Sequence, residues 1–221
     1  MRLSGLFQRM TGDEKHEWAA ASTLDVLWVL YDRVLNVSPE RVDDPDRDRF
    51  LLSKGHGPMA YYAVLAAKGF IAEPVLDTWT EFGSPLGQHP DRTLVPGVEI
   101  SSGSLGHGLA LGVGTALGLR AQGRSKPRVF VLVGDGELDE GGNHEAIALA
   151  GRLSVDRLTV VVIDNGSASF GWPGGIARRF EVEGWRAATV DGRDHGELYR
   201  AFTAEPDGRP SVVVAKIGSE S

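Results

Sequence analysis

The chain contains no cysteine, which excludes disulfides, thiolate metal sites and a thiol nucleophile. No apolar stretch approaches the roughly 18 residues a membrane-spanning helix needs, and Met1 to Met10 is too short and broken for a signal peptide. No basic stripe offsets the net charge of −7, which argues against a nucleic-acid partner. Internal repeats and low-complexity tracts are missing as well. What remains is the composition of an ordinary soluble protein: 42% hydrophobic and 24% charged over 221 residues, enough for one domain with a substantial core. A bacterial-type cytoplasmic enzyme is the expectation. Glycine is the exception, since its 29 residues are about twice the usual share of roughly 7%. Many tight strand-to-helix turns would account for them.

Residues 1–12 read as a frayed or partner-docking arm, and residues 13–221 as a single α/β domain. Leu24, Val26, Leu27, Leu30, Tyr31 and Val34 share one wide apolar face and predict a helix from about Thr23. Ser38 to Asp48, polar with two prolines, reads as a loop. Arg49–Leu52 reads as a first strand, Met59–Lys68 as a helix, and Val75–Glu81 as a short helix in an irregular region. Leu105–Gln122 reads as an alanine- and leucine-rich helix buried on most faces. Further strands are expected over Arg128–Val133, Thr159–Ile163, Arg186–Val190 and Ser211–Ala215, with helices over Gly142–Arg152 and Ile176–Glu183. Continuous apolar strands alternating with helices imply a parallel sheet covered on both faces, a three-layer αβα arrangement.

The second and third of these strands carry the functional signal. Arg128-Val129-Phe130-Val131-Leu132-Val133 empties into Gly134-Asp135-Gly136, and Thr159-Val160-Val161-Val162-Ile163 into Asp164-Asn165-Gly166. One β-α-β unit thus carries an oxygen ligand at the tip of each strand, where open α/β sheets bind ligands. A carboxylate and an amide carbonyl are hard donors suited to Mg²⁺. The glycines beside Asp135 let a diphosphate approach the backbone, whose N–H groups can face it. The bland alternative is a turn aspartate and a turn asparagine, common after strands.

Gly134-Asp135-Gly136-Glu137-Leu138-Asp139-Glu140-Gly141 followed by Asp164-Asn165 resembles the thiamine-diphosphate fingerprint of the transketolase family. The resemblance includes Ser53-Lys54-Gly55-His56-Gly57, Gln88-His89-Pro90, Pro96-Gly97-Val98-Glu99 and Ser102-Gly103-Ser104-Leu105-Gly106-His107-Gly108. Downstream it takes in Glu183-Gly184-Trp185, Val190-Asp191-Gly192-Arg193-Asp194 and Val214-Ala215-Lys216-Ile217-Gly218, spanning roughly residues 13 to 218. It implies the diphosphate-binding (PP-type) domain of a thiamine-diphosphate fold. Asp135, Asn165 and the carbonyl of Ser167 would hold Mg²⁺, with Gly134, Gly136 and Glu137 at the cofactor. His56 would contact the diphosphate and count with His89 among the catalytic histidines, His89 serving the reacting donor as a proton shuttle. Gly103, Leu105 and Gly106 match the turn beside the aminopyrimidine. His107 either joins them or simply starts a helix. Glu140 matches a glutamate at the family's subunit interface, although a helix N-terminal acid explains it equally. His144 and His195 read as surface histidines.

Several features depart from the family. His16 keeps its catalytic position relative to Asp25, but Glu17 and Trp18 replace small residues and would disfavour an anionic sugar phosphate. The loop after Asn165 is short. The match ends near Ser221, before a further family histidine, and includes no pyrimidine-binding domain. In the family that domain supplies the glutamate that protonates the cofactor. A separately encoded pyrimidine-domain partner is therefore expected, in an α2β2 assembly. The expected activity is transfer of a two-carbon ketol, or related acyl unit, from a donor to an aldehyde-type acceptor. Two alternatives stay open: a component that decarboxylates 2-oxo acids, and a non-catalytic cofactor-binding or regulatory paralogue.

Overall fold

The computed structural model describes residues 2–10 and 20–218. Five parallel strands, β1 (Arg49–Leu52), β2 (Val129–Gly134), β3 (Leu158–Asp164), β4 (Arg186–Asp191) and β5 (Ser211–Lys216), form one sheet in the order β1-β2-β3-β5-β4. Every residue of β2 is buried, as a strand covered on both faces requires. Side chains alternate between the two sides of the sheet. Phe50, Phe130, Leu132, Val161, Ile163 and Val213 face a core shared with α1 (Arg2–Phe7), α2 (Leu24–Val29), α3 (Pro58–Ala67) and α7 (His195–Phe202). Leu51, Val131, Val133, Val160, Val162 and Val214 face the core made with α4 (Gly108–Ala121), α5 (Gly141–Arg152) and α6 (Gly175–Val182). This is the expected αβα architecture, and among the described residues no helix is long and apolar enough to cross a membrane.

The structure corrects several local expectations. The N-terminal arm is not frayed over residues 2–10. It forms α1, which lies against α3, and Leu6, Phe7 and Met10 are buried. The expected first long helix is α2, continued by a π-helical turn at Leu30–Val34. Val75–Glu81 is not a helix of that span; a 3₁₀ segment occupies Glu73–Thr78 with Pro74 in its first turn. Helix α4 starts at Gly108, because the chain from Leu105 to His107 first turns through Gly106 at a φ of 82°. Nor is α4 buried on most faces. Gly108, Leu109, Gly112, Val113, Ala116 and Leu119 are covered, while Leu111 is 49% exposed. Helix α7 has no counterpart among the expected elements. Asp194 caps it, accepting from the backbone N–H groups of Gly196 (2.7 Å) and Glu197 (2.9 Å).

Candidate active site

The register of the sheet places the two candidate ligands side by side. Gly134 pairs with Ile163, and the Asp135 N–H donates to the Ile163 carbonyl at 3.0 Å. Asp135 is buried, and both carboxylate oxygens are engaged. Oδ1 accepts from the Gly136 N–H (2.8 Å) and the Ser167 hydroxyl (2.5 Å). Oδ2 accepts from the N–H groups of Ser167 (2.8 Å) and Ala168 (3.2 Å). The carboxylate thus folds the loop after β3 back over the tip of β2. Asn165 Nδ2 donates to Ser22 Oγ at 3.3 Å, while Asn165 Oδ1 is buried and has no hydrogen-bond partner among the described residues. Asn143 Oδ1 shares that condition, although its Nδ2 is held by the Glu137 carbonyl at 2.6 Å.

These residues fit a divalent cation. A buried amide oxygen without a donor is costly, and a cation would satisfy it. A Cβ on Gly136 would lie 3.1 Å from the Ser167 carbonyl oxygen, so glycine is what lets that oxygen come close. Among the described residues no three His, Cys, Asp or Glu side chains gather as a metal cluster. An ion here would rest on one carboxylate, one amide and one carbonyl, leaving positions for water or phosphate oxygens, as Mg²⁺ prefers. To free an Asp135 lone pair, the Ser167 hydroxyl would turn aside.

Behind these tips lies a buried brace. The Glu137 carboxylate accepts from the Ser53 hydroxyl, the Gly106 N–H (3.0 Å) and the Gly134 N–H (3.3 Å). The chain just after β1, the turn before α4 and the tip of β2 are thereby tied to one residue, so Glu137 holds the walls of the crevice together. Burial pushes its carboxyl pKa up, against those hydrogen bonds and the nearby Lys54. Lys54 is itself buried, donates to the His56 carbonyl at 3.2 Å, and has its pKa lowered by that burial to about 8, despite the attraction of Asp135 and Glu137. Neither Ser53 nor Lys54 stands out in the sequence as a site residue, although both immediately precede Gly55-His56.

His56 and His89 come together at a recess of about 60 Å³ lined also by Ala20, Gly55 and Met59. Both histidines are exposed. The His89 ring is stacked so close to Gly103 that a Cβ there would sit 2.6 Å from its Cγ, and Gly103 has a φ of 126°. Leu105 borders Gly55 on the same wall and is 41% exposed. His107 is the exposed residue preceding α4 and makes no side-chain capping bond. Glu140 packs against Gly106. His16, Glu17 and Trp18 lie outside the described residues. Hollows of ≈ 380 Å³ open at the opposite ends of the strands, one around Arg157 and one around Asp48.

The remaining histidines are partnered. His144 stacks on Trp172 (5.0 Å between centroids, 16° between planes), and the Arg179 guanidinium lies 5.9 Å from the Trp172 ring, pinning the loop that begins at Asn165. His195 Nε2 meets Asp25 Oδ1 at 2.8 Å, and Arg193 donates to Asp25 Oδ2 at 3.3 Å.

A family model described as the thiamine diphosphate binding domain of transketolase matches residues 11–221. A protein of Rhodococcoides fascians named ferredoxin fas2 is 61% identical over 219 residues, covering 99% of this chain and 72% of that protein. Lacking cysteine, this chain has no thiolate with which to ligate an iron–sulfur cluster. An apulose-4-phosphate transketolase subunit of Actinobacillus succinogenes is 37% identical over 207 residues, covering 90% and 75% of the two chains. Among solved structures, transketolase from Leishmania mexicana superposes with a TM-score of 0.77 at 27% identity, over 94% of this chain and 37% of that one. Transketolase from Campylobacter jejuni gives 0.78 at 28% identity, over 86% and 32%. The chain therefore spans about a third of those two transketolases and about three quarters of the subunit-type relative.

Proposed function

The chain belongs to the transketolase family, and from that membership we propose that it is the diphosphate-binding subunit of a two-component, thiamine-diphosphate-dependent transketolase, an enzyme transferring a two-carbon ketol from a donor to an aldehyde-type acceptor. One observation carries the reading of the site: the partnerless buried Oδ1 of Asn165 beside the buried Asp135 at adjoining strand tips. In this reading residues 13–221 act as one domain.

Asp135, Asn165 and the Ser167 carbonyl would hold Mg²⁺, and the Gly136 N–H would meet a diphosphate oxygen. When bound, thiamine diphosphate supplies the electron sink for breaking and making the carbon–carbon bond. The protein's part is orientation and proton handling. His56 would donate a ring N–H to the diphosphate. His89, held against Gly103, would hold or pass a proton at a ring nitrogen facing the donor. Gly103, Leu105 and Gly106 would form the wall beside the aminopyrimidine, with His107 at its edge. Glu137 is assigned a bracing role behind that wall rather than direct cofactor contact. His16 would complete the donor side.

The partner would carry the pyrimidine-binding domain. Relatives whose names make them one subunit of a transketolase support this, as do the exposed Leu111 and Leu149 on α4 and α5. An α2β2 assembly in the cytoplasm follows as the working picture. The test is reconstitution with that partner, Mg²⁺ and thiamine diphosphate. Ketol transfer without CO₂ release is expected; stoichiometric CO₂ from a 2-oxo acid would assign decarboxylation instead. Absence of either reaction with a cofactor-loaded pair would favour a binding role.

A further inference from the structure

We propose that Ser22 is a positioning residue that engages the nitrogen of the Asn165 carboxamide and so keeps its oxygen available to the cation. The proposal rests on reading that crevice as a divalent-cation site. A carboxamide presents an acceptor and a two-proton donor that are almost the same shape. Rotated by half a turn, Asn165 would point an NH₂ group at the cation, removing a ligand and setting the positive end of the amide dipole against the ion. In the structure the nitrogen is occupied: Nδ2 donates to Ser22 Oγ at 3.3 Å, and Oδ1 is left buried with no hydrogen-bond partner among the described residues.

Ser22 is well placed for this role because it is itself fixed. It is 1% exposed and lies in the turn leading into α2, where Thr23 N–H donates to the Ala20 carbonyl at 3.0 Å. One turn on, Asp25 anchors α2 to the start of α7 through His195 (2.8 Å) and to the connection before it through Arg193 (3.3 Å). The serine therefore reaches Asn165 from a separate element, anchored independently of the strand tips. Its hydroxyl is not part of the proposed ligand set, so toward the cation it acts through Asn165. Partners of metal ligands at this remove typically carry about 10- to 100-fold in metal affinity.

The experiment is a Mg²⁺ titration of the full chain together with its partner, at fixed, saturating thiamine diphosphate. The readout is the metal concentration giving half of the thermal upshift. Ser22→Ala should raise that concentration about tenfold, with Ser22→Cys, which keeps the volume but is a poor acceptor, moving it in the same direction. The decisive arm is Asn165→Asp, where both terminal atoms are oxygen and holding one aside no longer matters. In that background Ser22→Ala should change the midpoint by less than about twofold. An equal loss in both backgrounds would make Ser22 a packing residue and overturn the proposal, as would unchanged midpoints in Ser22→Ala and Ser22→Cys. A wild-type protein with no Mg²⁺-dependent upshift would instead sink the cation reading itself, and this inference with it.

Discussion

Substituting one glycine of α4 for alanine should destabilise the chain strongly, while the same change two turns later should not. A Cβ on Gly108 would lie 2.3 Å from both Cβ and Oγ of Ser53 and 3.1 Å from its Cα. Ser53 is 1% exposed, and its hydroxyl accepts from the Gly108 N–H at 3.0 Å while donating to Glu137. Making room means breaking both bonds. A neutral hydrogen bond contributes about 1 kcal/mol and one to a charged group about 1.5–3 kcal/mol, and overpacking adds roughly 1–3 kcal/mol. Helix propensity returns at most about 1 kcal/mol, less in a first turn. A net loss of about 3 kcal/mol follows. At Gly114 a Cβ would meet nothing within 4 Å, so Gly114→Ala should gain up to about 1 kcal/mol. Urea denaturation of the two variants, followed by circular dichroism, measures the contrast of about 4 kcal/mol. A Gly108→Ala protein that unfolds at or above the wild-type midpoint, or two variants that shift in the same direction, would refute the expected clash with Ser53.

Further outcomes follow from the same contacts. Lys54 has a folded-state pKa of about 8, so between about pH 8 and pH 10.4 the unfolded chain binds more protons and stability should rise with pH, by up to about 3 kcal/mol. Lys54→Met should remove that rise, which denaturation at about pH 7.5 and about pH 9.5 would detect; a persisting rise would mean another group causes it. Trp172→Ala removes the stack on His144 and the cation beside it, so limited proteolysis should cut the loop after Asn165 faster; an unchanged rate would show that the stack does not hold it. Leu111→Glu with Leu149→Glu should leave the isolated chain's stability within about 0.5 kcal/mol yet abolish co-purification with the partner, and intact binding would place the interface elsewhere.

The central strands can be read directly from the sequence, because fully buried parallel strands are unbroken runs of β-branched and apolar residues. Adjacent tips for Asp135 and Asn165 follow from one β-α-β unit. The far-reaching contacts cannot be read this way. Ser53 and Glu137 are 84 positions apart and Ser22 and Asn165 are 143 apart, and no local periodicity encodes such pairs. For the same reason the three hydrogen bonds that engage the Glu137 carboxylate inside the protein leave no mark in the local sequence. The exposed side of α4 is hidden in the sequence because alanine, leucine and glycine suit a helix buried by its own fold or one buried by a partner. Helix α7 does leave a signal, an aspartate three residues before a glutamate at Asp194 and Glu197, which is a helix-start pattern.

The most direct measurement is calorimetric titration of thiamine diphosphate into the chain with its partner, in Mg²⁺ and in EDTA, for wild type and Asp135→Ala. Saturable binding by the wild type in Mg²⁺ alone, lost in EDTA and in Asp135→Ala, is the predicted result. Equal binding in EDTA, or an Asp135→Ala protein that binds like wild type, would contradict the claim that the two strand tips grip the cofactor through a metal ion.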